Sequence, residues 1–185
     1  NAPNFLLYLA IVESKLSNRA TSGAKAAGIW QFIPSTAKLH NLEVDKYVDE
    51  RRDPLQATHA AIDYLERLKD RFGKWYLAIL AYNAGEGKLS KAIKLAGSDD
   101  IMVLLNPKKK YLPLESRDYL RKIIMMAYVA NDSDFLISKD SSMLNSATYI
   151  GIKRVEIPGG TSLRDVAVSI GFSLENLSKY NTHLR

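Results

Sequence analysis

Apolar side chains return at helical spacing from the first residues onward. Phe5, Leu6, Leu9, Ala10 and Val12 mark one face, which predicts a helix opened by Pro3, buried on that face and ending near Ser17 and Asn18. Pro34 starts a second, short helix. Asp53 followed by Pro54 reads as an N-cap with proline at the first helical position, and Leu55, Ala61, Ile62, Leu65, Leu68 and Phe72 carry the pattern to a stop at Gly73. Residues 75–82 are apolar on every side, so a short helix there belongs in the centre of the molecule. It should break at Asn83-Ala84-Gly85-Glu86-Gly87, where two glycines fall close together. After a turn at Leu112-Pro113, Tyr119, Leu120, Ile123, Ile124 and Ala127 predict an amphipathic helix over 115–128.

Beyond residue 130 the pattern changes. Asp, Ser, Asn and Lys dominate 131–146, as in a linker, and a domain boundary belongs near Ser146. Residues 149–157 are β-branched and partly alternating, which predicts a strand; Pro158-Gly159-Gly160 makes a turn, and two short helices follow over 162–170 and 173–180 around Gly171. The chain therefore reads as mainly α. A helical domain covers 1–130, a linker 131–146, and a small strand-helix-helix module 147–185.

Composition narrows the chemistry. With 185 residues, 46% apolar and 25% charged, the chain is an ordinary globular protein and not a disordered one. Its most apolar windows, 5–12 and 123–130, fall far short of the roughly 20 residues that cross a bilayer. There is no cysteine, which removes disulfides, thiolate metal sites and cysteine nucleophiles. His40, His59 and His183 lack ligand spacing, so neither metal nor organic cofactor is expected. A net charge of +6 suits an anionic partner, nucleic acid or acidic glycan, or simply a solvated surface rich in lysine. The longest basic run is Lys108-Lys109-Lys110, and no face interleaves aromatics with Arg and Lys, so a nucleic-acid module is not expected. Residue 1 is Asn and no basic-then-apolar segment precedes the first helix, so any leader or lipid anchor is expected to have been removed or to lie outside this chain.

Four stretches could carry chemistry. Glu13, at the end of an apolar helical face, is either a solvated last-turn carboxylate or a half-buried acid with a raised pKa. The small-residue stretch from Ser22 to Gly28, running into Trp30-Gln31-Phe32, is either a turn or a place where backbone approaches a sugar and Gln31 offers donor and acceptor. Tyr82 and Asn83 before Gly85 are either a helix C-cap or the mouth of a cleft. Glu115 and Tyr119 share a helix face, where Glu115 could equally be a first-turn partner of the helix dipole.

In this order, Glu13-Ser14, Gly28-Ile29-Trp30-Gln31, Ala81-Tyr82-Asn83-Ala84-Gly85 and Glu115-Ser116-Arg117-Asp118-Tyr119 resemble the motifs of the family 23 lytic transglycosylases. Gly28 to Ala37 and Tyr47 to Pro54 are similar to the membrane-bound murein transglycosylase D type within that family. The resemblance covers about residues 3–130. It implies a lysozyme-like (goose-type) catalytic domain and non-hydrolytic cleavage of the β-1,4 bond between N-acetylmuramic acid and N-acetylglucosamine in peptidoglycan, leaving 1,6-anhydromuramic acid ends. Glu13 aligns with the residue that acts first as general acid and then as base. Ser22 matches a position that contacts substrate, and Gln31 one beside the acid. Tyr82 matches a tyrosine whose hydroxyl points toward the reacting centre, and Asn83 its partner on the cleft floor. Glu115 matches an acidic residue near the peptide stem and Tyr119 a tyrosine lining the same groove. Where the family usually has Leu-Met, this chain has Ile29 and Trp30, a departure that bears on the shape of the cleft.

The end of the chain, with Val155, Ile157-Pro158-Gly159-Gly160-Thr161-Ser162-Leu163, Gly171-Phe172-Ser173 and Tyr180-Asn181, resembles an incomplete LysM-like glycan-binding segment. Its expected role is either glycan binding or a packing or spacer role. Alternatives to a transglycosylase are a hydrolase of the same glycan and a non-catalytic peptidoglycan-binding protein. The partner implied is the peptidoglycan strand, met by a monomer in the bacterial periplasm or envelope, with any membrane attachment through a lipid anchor.

Overall fold

The computed structural model describes residues 3, 5–132 and 154–185. Seven helices build the body: α1 (Leu6–Ser14), α2 (Pro34–Leu39), α3 (Pro54–Phe72), α4 (Trp75–Ala84), α5 (Glu86–Ala96), α6 (Ile101–Leu104) and α7 (Leu114–Ala130). None of the described helices is long and apolar enough to cross a membrane.

The longest helix starts and stops for identifiable reasons. The Asp53 carboxylate accepts hydrogen bonds from the Leu55 and Gln56 amides at 2.9 and 3.0 Å, Pro54 occupies the first helical position, and Gly73 ends α3 at φ 80°. Its buried stripe, Ala57, Ala60, Ala61, Tyr64, Leu65 and Leu68, repeats at three and four residues and lies against α4. In α4 the run Leu77, Ala78, Ile79, Leu80 and Ala81 is buried all round, and α3, α5 and α7 pack on it. Each fully buried leucine there contributes about 1.5–3 kcal/mol.

Two boundaries differ from the expectation. First, α4 runs on through Ala84 instead of breaking at Asn83. The chain turns at Gly85 alone, with φ 88° and ψ 143°, a conformation open essentially to glycine, and enters α5, whose Leu89 and Ala92 are buried. The two glycines of that stretch thus mark one hinge residue and one helical residue. Second, α1 stops at Ser14, because Lys15 and Leu16 both adopt left-handed φ, 54° and 62°.

The C-terminal part holds α8 (Leu163–Ser169) and α9 (Leu174–Tyr180). Both helices are serine-capped, Ser162 accepting from the Asp165 amide and Ser173 from the Asn176 amide, each at 3.1 Å. Residues 154–157 are irregular, not the strand expected over 149–157, since they have no ladder partner; 149–153 and most of the expected linker lie outside the described residues. The chain after α9 returns to the body. The Asp49 amide donates to the His183 carbonyl at 2.8 Å and the Arg185 amide to the Tyr47 carbonyl at 2.9 Å.

Candidate active site

Glu13 sits in the last turn of α1, half-buried where α1 packs on α7. The buried Tyr119 of α7 donates its hydroxyl to Glu13 Oε1 at 2.5 Å. Burial raises the Glu13 carboxyl from its usual 4.5 to about 7; the Tyr119 hydrogen bond opposes that rise and the charge of Glu115 adds to it. Burial, and then the Glu13 charge, push the phenols of Tyr82 and Tyr119 well above 10, so both remain donors.

The other wall is the loop containing Gly28-Ile29-Trp30-Gln31, pinned on two sides. Ser14, next to Glu13, donates to the Ile29 carbonyl at 2.8 Å, and Tyr82 donates to the Trp30 carbonyl at 2.7 Å. A Cβ at Gly28 would lie 1.7 Å from the Arg51 carbonyl oxygen, so backbone passes against backbone there and only glycine fits. Gln31, at the strained φ of 49°, donates from its side-chain amide to the Gly28 carbonyl at 2.8 Å, and its carbonyl oxygen makes no hydrogen bond among the described residues. Trp30 is a core residue: it is buried and its indole N–H reaches Thr58 Oγ1 at 2.8 Å. The departure from the usual loop sequence is thus absorbed by the interior.

The structure brings Glu13 and Tyr119 into contact, and Tyr82 reaches the loop at the Trp30 carbonyl, next in sequence to Gln31. Tyr82's hydroxyl is engaged by the loop backbone, so it holds the loop in place. Asn83 lies half-buried in the last turn of α4. Glu115 is exposed at the start of α7 and acts on Glu13 through its charge. Ser22 is exposed, its Oγ accepting from the Ala26 amide at 3.1 Å in a local turn. On the α1–α7 seam lies a groove of about 440 Å³ lined by Ile11 and Val12 from α1, Lys15 just after it, and Lys122, Met126 and Val129 from α7. Neither lysine has an acidic partner among the described residues.

Sequence reasoning passed over Ser14 as a functional group, and also Asp49 and Arg51. Arg51, buried, is clasped by Asp49 at 2.7 and 2.9 Å and donates to the Lys25 and Phe32 carbonyls at the two ends of the loop. The run Asp49-Glu50-Arg51-Arg52-Asp53 was the available signal, since a dense acid–base run beside an N-cap can fold back on itself.

The transglycosylase SLT domain family model matches residues 1–104. The chain belongs to the transglycosylase SLT domain family. Along its whole length this SLT chain is 34% identical to membrane-bound lytic murein transglycosylase D of Escherichia coli strain K12, covering 40% of that protein, and the same holds for the protein of strain CFT073. The chain thus spans less than half of these relatives. The fold is shared with the 70 kDa soluble lytic transglycosylase of Escherichia coli, at a TM-score of 0.53, 22% identity, and coverage of 71% of this chain and 22% of that one.

Proposed function

We propose that this SLT domain is a peptidoglycan lytic transglycosylase in which Glu13 alone moves the protons. What carries the reading is a half-buried Glu13 carboxyl with a pKa of about 7, the value a group needs to serve as acid and then base near neutral pH. Protonated Glu13 gives its hydrogen to the glycosidic oxygen as the C1–O4 bond breaks. The carboxylate then takes the hydrogen of the muramic acid C6 hydroxyl as O6 bonds to C1, closing the 1,6-anhydro ring. Glycosidases that use water need a second carboxylate. Here the nucleophile is tethered to the substrate, and intramolecular attack lowers a barrier by roughly 7–11 kcal/mol, so one carboxyl suffices.

Tyr119 holds the Glu13 carboxyl, Tyr82 and Ser14 hold the Gly28–Gln31 loop, and the free side-chain carbonyl of Gln31 is available to a sugar hydroxyl or acetamido N–H. Asn83 shapes the floor. Ser22 and Glu115 meet substrate further out, Glu115 near the peptide stems. The seam with Lys15 and Lys122 accommodates the carboxylates of those stems, so rising salt should weaken binding to isolated sacculi; unchanged binding would remove this part of the reading. Residues 1–130 form the catalytic unit, and the LysM-like α8–α9 part is carried against it. The name of the murein transglycosylase relatives supports an envelope location.

Mass analysis of products tests the reading. Wild type should release anhydro-muramic ends, and Glu13→Gln should lose activity by about a thousandfold while still binding sacculi. Reducing muramic ends would instead assign a hydrolase, and full activity in Glu13→Gln would leave a different group as the acid.

A further inference from the structure

We infer that residues 182–185 form a clamp that positions the Gly28–Gln31 loop through the Asp49–Arg51 pair. This rests on the function proposed for the loop and adds a control on it from outside the SLT match.

The contact is built in two layers. In the backbone layer, residues 183–185 lie antiparallel to 47–49: Asp49 N–H donates to the His183 carbonyl, Arg185 N–H donates to the Tyr47 carbonyl, and Val48 bridges Leu184. Thr182 Oγ1 adds a hydrogen bond to the Arg52 carbonyl at 2.8 Å. In the side-chain layer, Arg185 donates to the Asp45 carbonyl at 2.6 Å and to Asp49 Oδ2 at 2.7 Å. Asp49 is 1% exposed, and the same carboxylate receives Arg51 on both oxygens, with Arg52 at 3.5 Å.

Arg51 transmits the contact. Its Nη1 donates to the Lys25 carbonyl at 2.7 Å and to the Phe32 carbonyl at 3.1 Å, and Phe32's carbonyl also accepts the Ala27 amide at 3.1 Å. Those two residues close the base of the loop whose tip is held by Ser14 and Tyr82. A bidentate pair fixes the plane of a guanidinium, so whatever fixes the Asp49 carboxylate fixes the base of the loop. Among the described residues, Arg185 is the one ligand of the Asp49 carboxylate that comes from outside residues 49–52, and it ties the carboxylate to the segment after α9. Arg185 is therefore a positioning residue.

The test compares the full chain as wild type, Arg185→Gln and Arg185→Lys by amide hydrogen exchange, with kcat and KM on peptidoglycan strands alongside. In Arg185→Gln, exchange at the Ala27 and Gln31 amides should rise about tenfold while residues 60–68 of α3 keep wild-type protection. The same variant should lose about three- to tenfold in kcat with KM little changed, and Arg185→Lys should recover part of both. Wild-type exchange at Ala27 and Gln31 in Arg185→Gln overturns the clamp, as does a rise shared equally by α3. Exchange is read without substrate, so a chain that cleaves no peptidoglycan would end the proposed activity and leave this test standing.

Discussion

The helical body and the C-terminal helix pair reach order by different means. In α3 and α4, Leu65, Leu68, Leu77 and Leu80 are 0–1% exposed, and the fold there rests on close-packed apolar volume. In residues 154–185 Ala167 is the one buried side chain, while Ile170, Phe172 and Leu174 lie open. That part keeps its shape by serine caps and keeps its place by the polar 182–185 contact. A catalytic carboxyl with a raised pKa needs the first kind of construction, because desolvation is the force that raises it. A part held through a few polar contacts can rely on the second.

The comparison can be broken most directly in the core. Leu80→Ala should cost about 3 kcal/mol through the cavity left at the centre of α4, read as a lower midpoint in urea unfolding with the slope unchanged. Next comes pH. Because Glu13 has a folded pKa of about 7 against 4.5 ordinarily, its contribution to stability is complete below 4.5 and is lost as pH rises through 7. Relative to Glu13→Gln, wild type should therefore lose about 3 kcal/mol across that window, measured as the difference between their unfolding free energies at each pH. Asp53→Ala, which strips the α3 cap, should cost about 1 kcal/mol of global stability. Ser173→Ala removes an equivalent cap from α9 and should leave the main unfolding midpoint where it is, changing only exchange within α9. Equal effects of the two cap variants would mean that body and helix pair unfold as one unit.

Local chemistry made the start and end of α3 legible, since Asp53, Pro54 and Gly73 act on their own neighbours. It hid α5, because Gly85 and Gly87 look alike in sequence, whereas burial of Leu89 and Ala92 draws Gly87 into a helix at a cost of about 1 kcal/mol. The resemblance pointed to Glu13, yet the spacing of residues could not say that Tyr119, 106 positions away, would donate to it. Trp30 was legible as an aromatic in the loop and not as a core residue, because its partner Thr58 lies 28 positions away on α3. Asp49 and Arg51 escaped notice because charged residues are exposed by default; their burial follows from the pair they form with each other and from the carbonyls of Lys25 and Phe32 that receive Arg51, and Arg185, itself exposed, reaches Asp49 from 136 positions away.

The central claim concerns one proton. A carbon-13 NMR titration of the Glu13 carboxyl, assigned by its absence in Glu13→Gln, should show a midpoint near 7. A midpoint at the ordinary 4.5 would mean that Glu13 is ionised at neutral pH and cannot be the acid.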